Sequence, residues 1–130
     1  MIQFKKSPDL DILLRLYLRS LTEDAAFARV ANKEKTAKFV PKAEECIKAA
    51  IAAGDIEDSP VPPDLRAVFA YRLAFIMMIN FLPPTPVSDY GVSRDKLAEH
   101  IVWFVLRGIG MKEEVIKRYY NPKALALAAA

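Results

Sequence analysis

The side chains that could perform chemistry are few in this sequence. There is one histidine, His100, and one cysteine, Cys46, among 130 residues. Glu99 precedes His100, but neighbouring residues on a helix point about 100° apart, so these two cannot form a metal site by themselves. This favours a structural or interface role for the histidine. Cys46 lies in an alanine-rich segment beside an apolar stripe, which favours a small core residue over a nucleophile.

Acidic pairs and glycines offer no alternative catalytic centre. Asp9 and Asp11, and likewise Glu44 and Glu45, are better explained as solvent-facing or helix-capping charges than as a general acid and base. The four glycines are dispersed, so no phosphate-binding loop is present. We therefore predict no catalytic residues, no metal and no cofactor, and we expect the protein not to be an enzyme.

Composition indicates one globular domain spanning residues 1–130. Apolar residues make up 53% and charged residues 27%. The net charge of +3 comes from 19 basic and 16 acidic residues that are scattered, which indicates a solvated surface rather than a nucleic-acid site. The longest apolar stretch, residues 73–82, is about half of what a bilayer requires, and no apolar run follows residues 1–6. With its single cysteine, the chain is expected to be cytoplasmic, without a membrane partner.

The spacing of apolar residues predicts an all-α fold of about six helices. Proline, glycine and capping residues mark their ends, and no segment alternates with the period of a strand. The predicted helices span about residues 8–21, 25–31, 36–53, 63–82, 94–107 and 111–120. Ser93 is the expected cap of the fifth helix, and Gly54 the expected stop of the third. The alanine-rich tail, residues 121–130, is expected to be poorly ordered.

The fourth predicted helix is apolar on nearly every face. After Asp64 its only polar interruptions are Arg66, Arg72 and Asn80. A surface helix shows a single apolar stripe, whereas a helix that is apolar all round is buried. The other helices of such a small domain can cover only one side of it. The apolar residues on the uncovered side of this helix therefore predict contact with a partner.

The fifth predicted helix also has more apolar surface than one contact needs. Its inward stripe is Leu97, Ile101, Phe104 and Val105, whereas Trp103 projects among charged residues. A tryptophan beside an arginine is typical of interface anchors, and the alternative is a tryptophan packed under its own loop. Two adjacent helices of this kind predict a symmetric four-helix interface between two copies of the chain.

Two stretches resemble the C-terminal regulatory domain of TetR-family transcriptional repressors. They are FVPKAEECIKAAIAAGDIEDSPVPPDLRAVFAYRLAFIMMINFL and DKLAEHIVWFVLRGI. As in that family, a helix ends in a glycine, Gly54, and an acidic, proline-rich loop leads to a long apolar helix. A last long helix then ends in a leucine- or isoleucine-and-glycine signature, here residues 107–109. The resemblance covers about residues 10–109 and is clearest after Phe39.

The resemblance implies a homodimer and an internal pocket. In the family, the last two long helices form a four-helix dimer bundle, and the core encloses a site for small, often lipophilic effectors. The chain departs from the family because it lacks the three-helix DNA-binding head. It is either a piece of a repressor or a natural protein without the head. In both cases we expect no direct DNA binding by this chain.

These considerations give two sets of candidate site residues. The candidate ligand-binding residues are Phe69, Arg72, Phe75, Ile76, Met78 and Asn80. The candidate dimer-interface residues are Leu73, Met77, Leu97, His100, Trp103 and Arg107. Arg72 could bind an effector oxygen or form a salt bridge to an acid such as Glu23, Asp24 or Glu44. Ordinary core packing is the alternative for the apolar residues, and a scaffold protein with a filled core is the alternative function.

Overall fold

In the computed structural model, which describes residues 8–124, all regular secondary structure is helical. The five helices are α1 (Pro8–Leu21), α2 (Ala26–Ala52), α3 (Pro63–Ile79), α4 (Arg94–Gly108) and α5 (Glu113–Tyr119). A further helical segment begins at residue 122, at the end of the described range. The all-α prediction is confirmed. The predicted tail is described only as far as residue 124, and its remainder lies outside the described residues.

The second and third predicted helices are one continuous helix, α2, so the predicted break between them is wrong. The charged run at residues 32–35 continues the helix because lysine and glutamate favour helical backbone. The hydroxyl of Thr36 donates to the carbonyl of Asn32 at 2.6 Å, one turn earlier. Pro41 lies inside α2, where it removes one backbone donor without ending the helix.

Buried and capping hydrogen bonds fix the corner between α1 and α2. The hydroxyl of Ser20, a buried residue of α1, accepts the backbone N–H of Ala28 at 3.1 Å. Asp24 accepts the N–H of Ala26 at 2.9 Å, and Ala25 between them has a left-handed backbone with φ of 59°. The corner therefore sets how the first turns of α2 lie against α1.

The small core lies where the end of α2, the following loop, the start of α3 and the α4–α5 turn meet. Its buried centre is Ile47, Ile56 and Ala67. Gly54, with φ of 79°, ends α2 as predicted. The backbone N–H of Glu57 then donates to the carbonyl of Gly110 at 2.8 Å, which ties the loop to the end of α4.

The α3–α4 connection is held by Asn80, and this shortens α3 relative to the prediction. Asn80 accepts the backbone N–H of Ser88 at 2.8 Å and donates to the Ser88 carbonyl at 3.2 Å. The helix therefore ends at Ile79 rather than at Leu82. Ser93 caps α4 as predicted, because its hydroxyl accepts the N–H of Lys96 at 3.2 Å.

Helix α3 is not covered on every side within one chain. It packs against α2 and α4, but the side chains of Phe69 and Ile76 are 57% and 60% exposed. Leu65 continues the same exposed stripe at 42%. The helix is therefore buried on two sides and open on the third. No helix among residues 8–124 is both long and apolar enough to cross a membrane.

Candidate ligand-binding cavity

A cavity of about 230 Å³ lies where α1, α2 and α3 meet. Its wall is mainly apolar and aromatic, with a few polar side chains. The lining residues are Leu10, Leu13, Leu14, Tyr17, Phe27, Val30, Ala31, Asn32, Glu34, Lys35, Tyr71, Arg72 and Phe75. Mainly apolar walls with few polar groups are the usual composition of small-molecule sites.

The helical repeat explains why these side chains share one space. On α1, Leu10, Leu14 and Tyr17 recur at steps of four and three residues, which places them on one face. From α3, the Phe75 ring meets Tyr17 edge-on, with ring centroids 5.2 Å apart. The aromatic pair joins α1 to α3 at the cavity wall.

The polar side of the cavity is built around Arg72. Its Nη1 donates to the hydroxyl oxygen of Tyr17 at 2.9 Å, and its Nη2 donates to Oδ1 of Asn32. Both partners are neutral side chains, one from α1 and one from α2. The guanidinium therefore connects three helices without an ion pair.

The alternative prediction, a salt bridge from Arg72 to a nearby acid, is wrong. The three acids considered for that role are occupied elsewhere: Glu23 pairs with Arg19, Glu44 pairs with Lys48, and Asp24 caps α2. No ion pair of Arg72 occurs among residues 8–124. The sequence does not indicate the partners of Arg72, because Tyr17 and Asn32 are neutral and lie on other helices.

The six predicted ligand-binding residues do not line one space. Arg72 and Phe75 line the cavity. Met78 instead lines a groove between α3 and α4, Phe69 lies on the outer face, and Ile76 is exposed. Asn80 is buried but is used by Ser88 in the loop after α3. The predicted set was drawn from all sides of α3, and only one side meets α1 and α2.

Sequence reasoning missed Tyr17 and Asn32 as polar members of this cavity. Tyr17 was counted as part of the apolar stripe of α1. Asn32 was assigned to a break between helices, although a continuous α2 places it four residues after the buried Ala28. The Tyr17 hydroxyl in an otherwise apolar stripe therefore indicates a polar contact with another helix. Asn32 gives the same indication, but only when α2 is treated as one continuous helix.

A groove of about 160 Å³ separates α3 from α4 on one side. Two predicted dimer residues, Met77 and Leu97, line it together with Met78 and Phe81. The guanidinium of Arg94 lies 4.9 Å from the centre of the Phe81 ring. Met77 of α3 and Leu97 of α4 therefore lie on the sides of the two helices that border this groove.

A second groove, of about 240 Å³, lies on the outer face of α3 and α4. Phe69, Leu73 and Phe104 contribute to it. The prediction that Phe104 points inward is wrong, since this side chain is 70% exposed. Neighbouring helix residues point about 100° apart, so Val105 is partly buried while Phe104 lies at the exposed edge. Two phenylalanines thus mark an exposed apolar face.

The remaining predicted dimer residues lie on another side of α4. His100 and Arg107 are exposed, and Arg107 donates to the Met111 carbonyl at 2.9 Å. Trp103 is partly buried. Burial, and then the negative charge of Glu99, raise the pKa of the Tyr120 phenol. Tyr120, just after α5, therefore lies near Glu99 of α4.

Cys46 is exposed, so the prediction that it is a small core residue is wrong. Its neighbour Ile47 occupies the core instead, because adjacent residues on α2 face different directions. Among residues 8–124 there is no cluster of three or more histidine, cysteine, aspartate or glutamate side chains that could hold a metal ion.

No protein-family model, curated protein or solved structure matches this chain.

Proposed function

We propose that this chain is an effector-sensing and homodimerisation domain similar to the regulatory domain of TetR-family repressors. In this proposal a small amphipathic molecule binds in the cavity between α1, α2 and α3. The observation that supports it best is the cavity itself: its aromatic and aliphatic wall surrounds a compact polar cluster of Arg72, Tyr17 and Asn32. The DNA-binding head of those repressors has no counterpart in the predicted helices.

The proposed partner is a second copy of the chain, bound through α3 and α4. The support is the exposed apolar face that contains Phe69, Ile76 and Phe104. Apolar patches of this kind on two neighbouring helices mark interaction surfaces. Pairing two copies through α3 and α4 forms a four-helix interface.

Helix α3 provides a physical link between the two proposed sites. Phe75 and the side chain of Arg72 line the cavity, whereas Phe69 and Ile76, one turn before and one turn after Arg72, are exposed. A ligand that prefers one position of α3 would therefore change the geometry of the dimer interface. Such a shift is how the domain would transmit binding to an attached domain.

Thermal-shift measurements with neutral and charged amphipathic compounds test the cavity. A bound compound at about 100 times its Kd should stabilise the fold by about 2.7 kcal/mol. Ala31→Phe fills the cavity and should abolish the shift, whereas Ala37→Phe, at an exposed position of α2, should preserve it. A panel without any stabilising compound would leave the scaffold alternative.

Sedimentation velocity tests the dimer. Phe104→Glu places a charge on the exposed face and should raise the dimer Kd at least about 30-fold, the size expected for an interface anchor. Val87→Glu is the matched control, because Val87 is equally exposed but lies in the α3–α4 loop. A parent chain that sediments as a monomer would contradict the proposed dimer. Equal effects of both variants would mean that the contact between the two copies lies elsewhere.

A further inference from the structure

We infer that the ligand of this cavity carries a carboxylate, which the guanidinium of Arg72 binds with help from Tyr17 and Asn32. This inference rests on the proposed function, because it requires that the cavity takes a ligand. It specifies the chemical class: a small organic monoanion with a short apolar tail.

The first argument is a count of hydrogen-bond donors. Arg72 has five N–H groups, and it donates to the Tyr17 hydroxyl and to Oδ1 of Asn32. Because the Tyr17 oxygen accepts from Arg72, its own O–H is directed elsewhere. Because the Asn32 oxygen also accepts, the amide NH₂ of Asn32 presents two further donors. The three side chains therefore offer the cavity mainly donors, which a ligand oxygen can accept.

The second argument is charge. Arg72 is partly buried, and both of its side-chain partners are neutral. Glu34 and Lys35 also line the cavity, but both are exposed and their charges cancel. The net formal charge of the lining is therefore that of Arg72. A partly desolvated cation without an ion pair gains most from an anionic ligand.

The third argument is shape. A planar guanidinium matches the two oxygens of a carboxylate, and the Tyr17 hydroxyl lies next to it. Most of the remaining wall is apolar, including Leu14, Val30 and Phe75. The cavity volume of about 230 Å³ lies below the roughly 300–1,000 Å³ of sites for drug-sized ligands. The apolar tail should therefore be short.

Isothermal titration calorimetry with the full chain at neutral pH tests this inference. The probes are straight-chain carboxylates of four to ten carbons, with the primary amides, alcohols and amines of the same lengths. We expect the best carboxylate to bind at least about tenfold more tightly than its amide, since bonds to a charged partner add about 1.5 kcal/mol or more. The matching amine should bind most weakly.

Three variants identify the charge that produces the preference for carboxylate over amide. Arg72→Gln should reduce the preference for carboxylate over amide to less than threefold, and Arg72→Lys should restore part of it. Lys42→Gln removes the same charge from an exposed position of α2 that is not part of the cavity lining, and it should leave the preference unchanged. Circular dichroism of each variant confirms that the fold is retained.

Each contrary result has a distinct meaning. Equal binding of carboxylate and amide to the parent chain would overturn the inference but leave a ligand-binding cavity. Loss of the preference in Lys42→Gln but not in Arg72→Gln would overturn the role of Arg72. Failure of every probe to bind would overturn the inference, whereas the proposed function is tested separately by the thermal-shift panel and by sedimentation velocity.

Discussion

Two arginines of α3 lie six residues apart and have opposite surroundings. Arg66 is 3% exposed and donates to the carbonyls of Val61, Glu57 and Ile109 at 2.8, 3.0 and 3.1 Å. Among residues 8–124, Arg72 donates to two neutral side chains, one from α1 and one from α2. One arginine is surrounded by backbone acceptors, and the other lies at the wall of a cavity.

The difference separates a structural arginine from a candidate binding arginine. Most acceptors of Arg66 are backbone carbonyls, in the 57–61 loop and at Ile109 just after α4, so their positions are fixed by the fold. The acceptors of Arg72 are side chains that can rotate when a ligand competes for the guanidinium. Fixed backbone acceptors suit a residue that only stabilises the fold, whereas side-chain acceptors that can rotate suit a residue that exchanges partners.

The largest predicted effect is the loss of Arg66. Arg66→Met keeps a long, mostly apolar side chain but removes all donors to the carbonyls of Val61, Glu57 and Ile109. Buried acceptors without partners are costly, and we expect the free energy of unfolding to fall by about 3–5 kcal/mol. Urea denaturation measures this loss. A loss below about 1 kcal/mol would mean that Arg66 does not hold the loop to α4.

The next effect concerns the close approach of backbone around Arg66. Gly110 has φ of 96°, and an added Cβ would lie 3.0 Å from the Glu57 carbonyl oxygen. Gly110→Ala should cost about 1–2 kcal/mol for the backbone alone, and more for this contact. Gly91→Ala is the matched control, since Gly91 has φ of 68° with open space around it. Equal losses in urea denaturation would show that the contact is unimportant.

Much of the fold follows from local sequence signals. The bounds of α1, the start of α3 at Pro63, the Ser93 cap and the Gly54 stop are all encoded by residues whose backbone preferences act within a turn. The continuity of α2 was missed because a charged run resembles a surface loop in composition. Its helical propensity and its packing against α1 and α3 outweigh that appearance.

The sites were less predictable than the helices. Arg72 was identified because a polar residue on an apolar helix needs a partner, but its partners lie 40 and 55 residues away in sequence. Most acceptors of Arg66 are backbone groups, which every residue possesses and which side-chain type therefore does not reveal. The partners of both arginines depend on which distant parts of the chain the fold brings together, and this cannot be inferred from a single sequence.

Arg72 should matter far less than Arg66 for stability. Arg72→Met removes two hydrogen bonds, but methionine adds apolar contacts in the cavity and both former acceptors can rotate to new partners. We expect the free energy of unfolding in urea to change by less than about 1 kcal/mol. A loss as large as that of Arg66→Met would make Arg72 a structural residue and remove the contrast between the two.

The smallest effect should come from Asp58, the only acid paired with Arg66 among residues 8–124. The Asp58 side chain is 88% exposed, and its Oδ1 lies 3.5 Å from Nη2 of Arg66. An ion pair that is open to solvent on one side is strongly screened, so Asp58→Asn should cost no more than about 0.5 kcal/mol in urea denaturation. Asparagine can still accept the N–H of Ser59, which Asp58 accepts at 2.8 Å. If Asp58→Asn instead matched Arg66→Met, the carboxylate would be the dominant partner of Arg66. The two arginines would then differ in whether an acid is present, and not in whether their acceptors are backbone or side chain.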